Sequence, residues 1–117
     1  MRDELQRVCQ RGASYADVRY YPQQDDEVLM VMQGNLKSAE RSVTTGIGMR
    51  VLYRGAWGFA AASTPDALTA VADSALANAQ VAAQRMPFPV ELAPRTPVTA
   101  RYESPCAVDP FEVPLEE

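Results

Sequence analysis

Catalysis needs nucleophiles, bases or metal ligands, and this chain supplies them unevenly. Histidine is absent. Without it the chain can assemble neither a Ser-His-Asp nor a Cys-His nucleophile. Zinc sites that use imidazole, the HExxH type included, are excluded for the same reason. The two cysteines, Cys9 and Cys106, stand almost a chain length apart. They form no CxxC pair and cannot make a four-thiolate site. Asp25, Asp26 and Glu27 cluster, but consecutive side chains in a turn or strand point apart, and no Asp-x-Asp-x-Asp-Gly calcium loop exists. A solvated turn is the plainer reading.

Gly46-Ile-Gly48-Met-Arg-Val opens like a dinucleotide fingerprint, yet Val51 holds the third glycine position. A strand follows where a helix should receive the pyrophosphate. The glycines then permit a bulge or a close backbone approach. No glycine segment leads into Lys-Ser/Thr, so a phosphate-cradling loop is also excluded. No residue is assigned as catalytic or metal-binding, and no cofactor is expected in this chain. Cys9, on the apolar stripe of a helix, reads as a small core residue. Trp57 and Phe59 share one strand face and read as core. Arg50, charged among apolar neighbours, is the least routine residue. It sits on the solvated face of a sheet or meets a carboxylate across an interface, and is the interface candidate.

The elements that must position these residues come from 117 residues, one domain's worth. Apolar residues at 47% and charged residues at 22% are ordinary for a soluble globular protein. The net charge of −4 argues against a nucleic-acid partner, which would need a basic face. No run approaches the roughly 18 apolar residues of a membrane span. The first residues, Met-Arg-Asp-Glu-Leu-Gln-Arg, are too polar for a signal peptide. The expectation is a cytoplasmic protein with free thiols and no membrane contact.

Leu5, Val8 and Cys9 give residues 2–11 the apolar stripe of a short helix, with Gly12 as its C-terminal cap. Residues 15–21 alternate as a half-buried strand that Pro22 ends, followed by a polar turn at 23–26. Residues 27–33 are apolar almost throughout and predict a strand buried on both faces. Gly34-Asn35 predicts a turn, and 36–44 a polar return strand at a sheet edge. Ile47, Met49, Val51 and Tyr53 line one face of a strand over 46–53. Arg54-Gly55 then turns the chain into a return strand over 56–60. Residues 65–84 form the clearest helix, with Thr64 as N-cap and Pro65 at its first position. Its alanines would let it lie close against a sheet.

Seven of the nine prolines fall from Pro87 onward. They preclude a long helix or a central strand there. The expectation is an extended connector with one edge strand around Val98–Tyr102. Pro114-Leu-Glu-Glu reads as the start of a helix, so the chain is expected to continue into a further domain.

The stretch from Gly46 to Ala60, Gly-Ile-Gly-Met-Arg-Val-Leu-Tyr-Arg-Gly-Ala-Trp-Gly-Phe-Ala, resembles the hallmark of the TldD/PmbA family, whose members are often labelled modulators of DNA gyrase. Gly12-Ala-Ser-Tyr-Ala-Asp-Val-Arg resembles the family's opening strand, and Gly34-Asn-Leu-Lys-Ser-Ala its hairpin. The alanine-rich helix follows in place. Asp109-Pro-Phe-Glu-Val-Pro-Leu-Glu-Glu resembles the segment that leads to the next helix. The ordered set spans nearly the whole chain. The resemblance implies a zinc-dependent peptidase whose HExxxH motif lies in a C-terminal domain outside this sequence. It also implies a homo- or heterodimer of family members around a chamber that admits extended peptides. Ala56–Ala60 and Asp109–Val113 lean toward the TldD side.

The expected architecture is α/β (α+β): a mostly antiparallel sheet of about five strands with two helices packed on it. Residues 1–86 would form the domain and 87–117 a proline-rich connector. The role is accessory to proteolysis. A sheet edge can accept an extended peptide as an added strand, and Leu36, Ser38, Glu40 and Ser42 are the candidate edge residues. Two rivals stand beside this reading: a free-standing protein- or peptide-binding module, and a small enzyme built on Asp, Glu or Cys, for which no constellation exists.

Overall fold

The first helix forms where the sequence places it. In the computed structural model, which describes residues 1–114, α1 spans Arg2–Gln10, and Gly12 follows it with φ +98°. That left-handed conformation suits a residue without Cβ at a helix end. Three strands follow: β1 over Tyr15–Met32, β2 over Asn35–Tyr53 and β3 over Ala56–Ala62. They pair in the order β1-β2-β3. Both links are two-residue turns, Gln33-Gly34 and Arg54-Gly55, with φ of 52° and 78° and of 48° and 78°. Positive φ at both positions marks the turns whose twist suits antiparallel hairpins. A 3₁₀ turn over Pro65–Ala67 leads into α2, Leu68–Ala83, and a second covers Pro110–Glu112.

The chain divides into two compact units. One comprises residues 1–24 and 43–92; the other comprises residues 25–42 and the chain from 93 onward. The hydrophobic core belongs to the first. Ile47, Met49 and Val51 alternate along β2 toward α2, where they meet Val71, Ala72, Ala75, Leu76 and Ala79, with Val8 of α1 closing the cluster. Each fully buried aliphatic side chain contributes about 1.5–3 kcal/mol. Small residues set the spacing between helix and sheet. A Cβ at Gly58 would collide with the Ala75 carbonyl and come within 2.8 Å of Ala79 Cα, so β3 and α2 approach backbone to backbone. Polar contacts fasten α1 on α2: Arg7 donates to Glu4 at 2.6 Å and to Asp73 at 2.8 Å, Arg11 also donates to Asp73, and Thr69 donates to Glu4 at 2.9 Å.

In the second unit, Arg41 Nε donates to Glu27 Oε2 at 2.7 Å, and Arg41 Nη2 to the Val113 carbonyl at 2.6 Å.

Several expectations need correction. The sheet has three strands, not five, because 15–21 and 27–33 are one continuous strand and so are 36–44 and 46–53. Pro22 does not end β1. An outer strand tolerates a missing amide that a central one would not. The turn falls one residue earlier than Gly34-Asn35. The run 27–33 is not buried on both faces: Val28–Met32 are each more than half exposed and lie outside the core cluster. Phe59 is 59% exposed rather than core, Trp57 is half-buried, and Cys9 is exposed. Thr64 precedes the 3₁₀ turn with extended backbone but makes no side-chain cap. Residues 98–102 form no strand. The helix start expected at 115–117 lies outside the described residues.

Candidate functional site

Alternation along the strands decides what the outer face of the sheet presents, because β2 gives its other face to α2. Arg50 pairs in register with Phe59, and Leu52 with Trp57, so these side chains share that face. Asp17 joins them from β1. Arg50 donates to Asp17 Oδ2 from Nε at 3.0 Å and from Nη2 at 2.6 Å. Its guanidinium carbon stands 5.1 Å from the centre of the Trp57 ring, within cation–π range. Tyr15 meets Trp57 edge to face at 5.9 Å. Asp17 raises the already high pKa of the guanidinium further, chiefly through these hydrogen bonds.

Beside this cluster runs an open groove of about 310 Å3. Asp17, Arg19 and Tyr21 of β1 line one side, and Phe59, Ala61 and Ala62 of β3 the other. Gly46, Gly48 and Arg50 lie between them. Phe59 lies over Gly48, where a Cβ would come within 3.2 Å of the ring. At Gly48 the neighbour is thus an aromatic ring, not the bulge or close backbone approach expected of these glycines. The groove combines a floor almost free of side chains, aromatic walls and a guanidinium. That suits an apolar side chain or an extended segment. Asp17, the one carboxylate among its described lining residues, accepts both Arg50 hydrogen bonds.

The four edge candidates lie elsewhere. Leu36, Ser38, Glu40 and Ser42 alternate along β2 within residues 25–42 of the second unit. Leu36, Glu40 and Ser42 are exposed and Ser38 is half-buried. β2 lies between β1 and β3, but its register with β3 begins only at Ile47. Arg50 belongs to the first unit. Sequence reasoning missed Asp17, its partner. The available signal was that Asp17 and Arg19 fall on the face of β1 opposite Ala16 and Val18.

A model of the family described as PmbA/TldA metallopeptidase domain 1 matches residues 16–79, more than half of the chain. The chain belongs to the PmbA/TldA metallopeptidase domain 1 family. The matched span runs from the start of β1 into α2 and contains every residue of the outer-face groove. A comparison with curated proteins found no match. This domain's own residues do not fit a catalytic zinc. The sequence has no histidine, and among the described residues no three Cys, Asp or Glu side chains gather where they could hold a metal. No described helix is long and apolar enough to cross a membrane.

Proposed function

We propose that this chain is the non-catalytic N-terminal domain of a TldD/PmbA-type zinc peptidase, on the TldD side. It walls a substrate chamber and takes part in a homo- or heterodimer of family members in the cytoplasm. The zinc and its HExxxH ligands belong to another domain, and no hydrolytic step is derived from these residues. The family match over β1 to α2 carries this reading. Extended peptide is guided along β2, with Leu36, Ser38, Glu40 and Ser42 as the strand that receives it. Beyond Ile47 toward the hairpin tip, β2 has no β3 partner, which supports main-chain pairing there, independent of peptide sequence.

The test has two arms. In the first, the expected result is a reading frame that continues past Glu117 into an HExxxH-bearing domain, with a product that hydrolyses unfolded peptide in a chelator-sensitive way. Saturating peptide slows amide exchange over residues 36–44 of that product. A frame ending at Glu117 would favour the free-standing binding module instead. Unchanged exchange would remove the edge candidates.

A further inference from the structure

The outer-face groove lies wholly within the first unit, and its charges are not balanced. Asp17 is committed to Arg50. Arg19, on the same face of β1, forms no ion pair among the described residues. Two guanidiniums and one carboxylate leave the groove a surplus of one positive charge, in a chain whose net charge is −4. Asp17 and Trp57 hold Arg50 in place, and its Nη1 takes no part in the bonds to Asp17. The walls are aromatic and open to water: Tyr21 is 51% exposed and Phe59 is 59% exposed. Between them Gly46 and Gly48 add no side chain to the floor. The groove's volume of about 310 Å3 stands at the low end of the range of ligand sites, about 300–1,000 Å3. It suits one large side chain rather than a folded partner.

We propose that the groove binds the C-terminal residue of a peptide, its apolar side chain between Tyr21 and Phe59 and its α-carboxylate on Arg19. Charge selects a chain end. An interior apolar segment would leave Arg19 without a counter-ion, whereas a chain end brings one apolar side chain and one carboxylate together. A planar guanidinium meets a carboxylate through two parallel hydrogen bonds. A nucleic acid would need many more cations than one, and would meet a chain of net negative charge. Because the groove is open, the residues that precede the terminus pass out to solvent. This site is separate from the strand edge at residues 36–42, and it holds whether or not the chain is part of a peptidase.

The test is fluorescence anisotropy of fluorescein-tagged tetra-alanyl-phenylalanine, as the free acid and as the C-terminal amide, titrated with the purified chain. The acid should bind saturably and at least about tenfold tighter than the amide, which lacks the charge-assisted pair. Arg19→Gln should remove that preference and leave Tm unchanged, because the side chain is exposed and holds no ion pair. Phe59→Ala should weaken acid and amide alike. Ala61→Leu fills the groove from its β3 wall and should abolish binding of both. Untagged 3-phenylpropanoate carries the side chain and the charge without the peptide, and should compete at least about tenfold more weakly than the untagged peptide acid. Equal affinity for acid and amide, a preference that survives Arg19→Gln, binding that survives Ala61→Leu, or equal competition by 3-phenylpropanoate would overturn the proposal. So would the absence of saturable binding of the acid up to about 1 mM.

Discussion

Arg50 Nη2 lies 2.6 Å from Asp17 Oδ2, which ties the central strand to an outer one across the solvent face of the sheet. The same guanidinium stacks near Trp57, so one side chain joins all three strands. A lysine could keep the charge but not the fork geometry.

Substitutions at this pair should act locally. Arg50→Ala and Arg50→Lys are expected to lower Tm slightly, alanine more, with the loss shrinking in high salt because the pair is half-exposed. Arg50→Ala should also change Trp57 fluorescence, and Asp17→Asn should change it less. Thermal melts and emission spectra of the three variants check this. A large Tm loss with no spectral change would contradict the geometry.

Packing of α2 on β3 should be intolerant in both directions. Gly58→Ala adds a methyl where the Ala75 carbonyl and Ala79 backbone already stand, and should cost at least about 2 kcal/mol. Leu76→Ala empties a fully buried site and should cost about 3 kcal/mol. Urea midpoints of the two variants measure both.

The α1–α2 latch makes stability depend on acid. Hydrogen bonds from Arg7 hold the Glu4 and Asp73 carboxyls below their ordinary pKa values, with Thr69 assisting at Glu4 and Arg11 at Asp73. Because each folded pKa lies below the unfolded one, the contribution is fully present above about pH 4–5. It is lost as the pH falls through the lower folded values. Asp73→Asn should therefore flatten the loss of Tm between neutral pH and about pH 3, and salt should flatten it in the wild type. Identical acid slopes in wild type and Asp73→Asn would contradict this.

Both thiols are exposed. Cys9 and Cys106 should each react with a thiol reagent in the native state, without denaturant. A Cys9 that reacts only after unfolding would restore the core position its sequence context suggests.

Much of the fold was legible, for reasons tied to particular residues. Ile47, Met49 and Val51 alternate cleanly, the helix after Pro65 keeps Val71, Ala72, Ala75, Leu76 and Ala79 on one buried stripe, and Arg54-Gly55 is a two-residue turn. Each signal is local and each element is amphipathic. The number of strands was not legible, because Pro22 and the polar 36–44 stretch look like breaks unless the strand is known to be an outer one. The exposure of Val28–Met32 was equally hidden. Composition reports that a segment is apolar, not whether anything covers it. At the outer face, Arg50 stood out by its charge, but its partner Asp17, thirty-three residues away, becomes visible only once β1 and β2 are paired.

The most direct measurement is hydrolysis of an unstructured peptide, with zinc supplied, by the purified 117-residue chain and by the product of its complete reading frame. The account predicts turnover by the longer product alone, abolished by chelator. Turnover by the 117 residues themselves, surviving chelation, would contradict it.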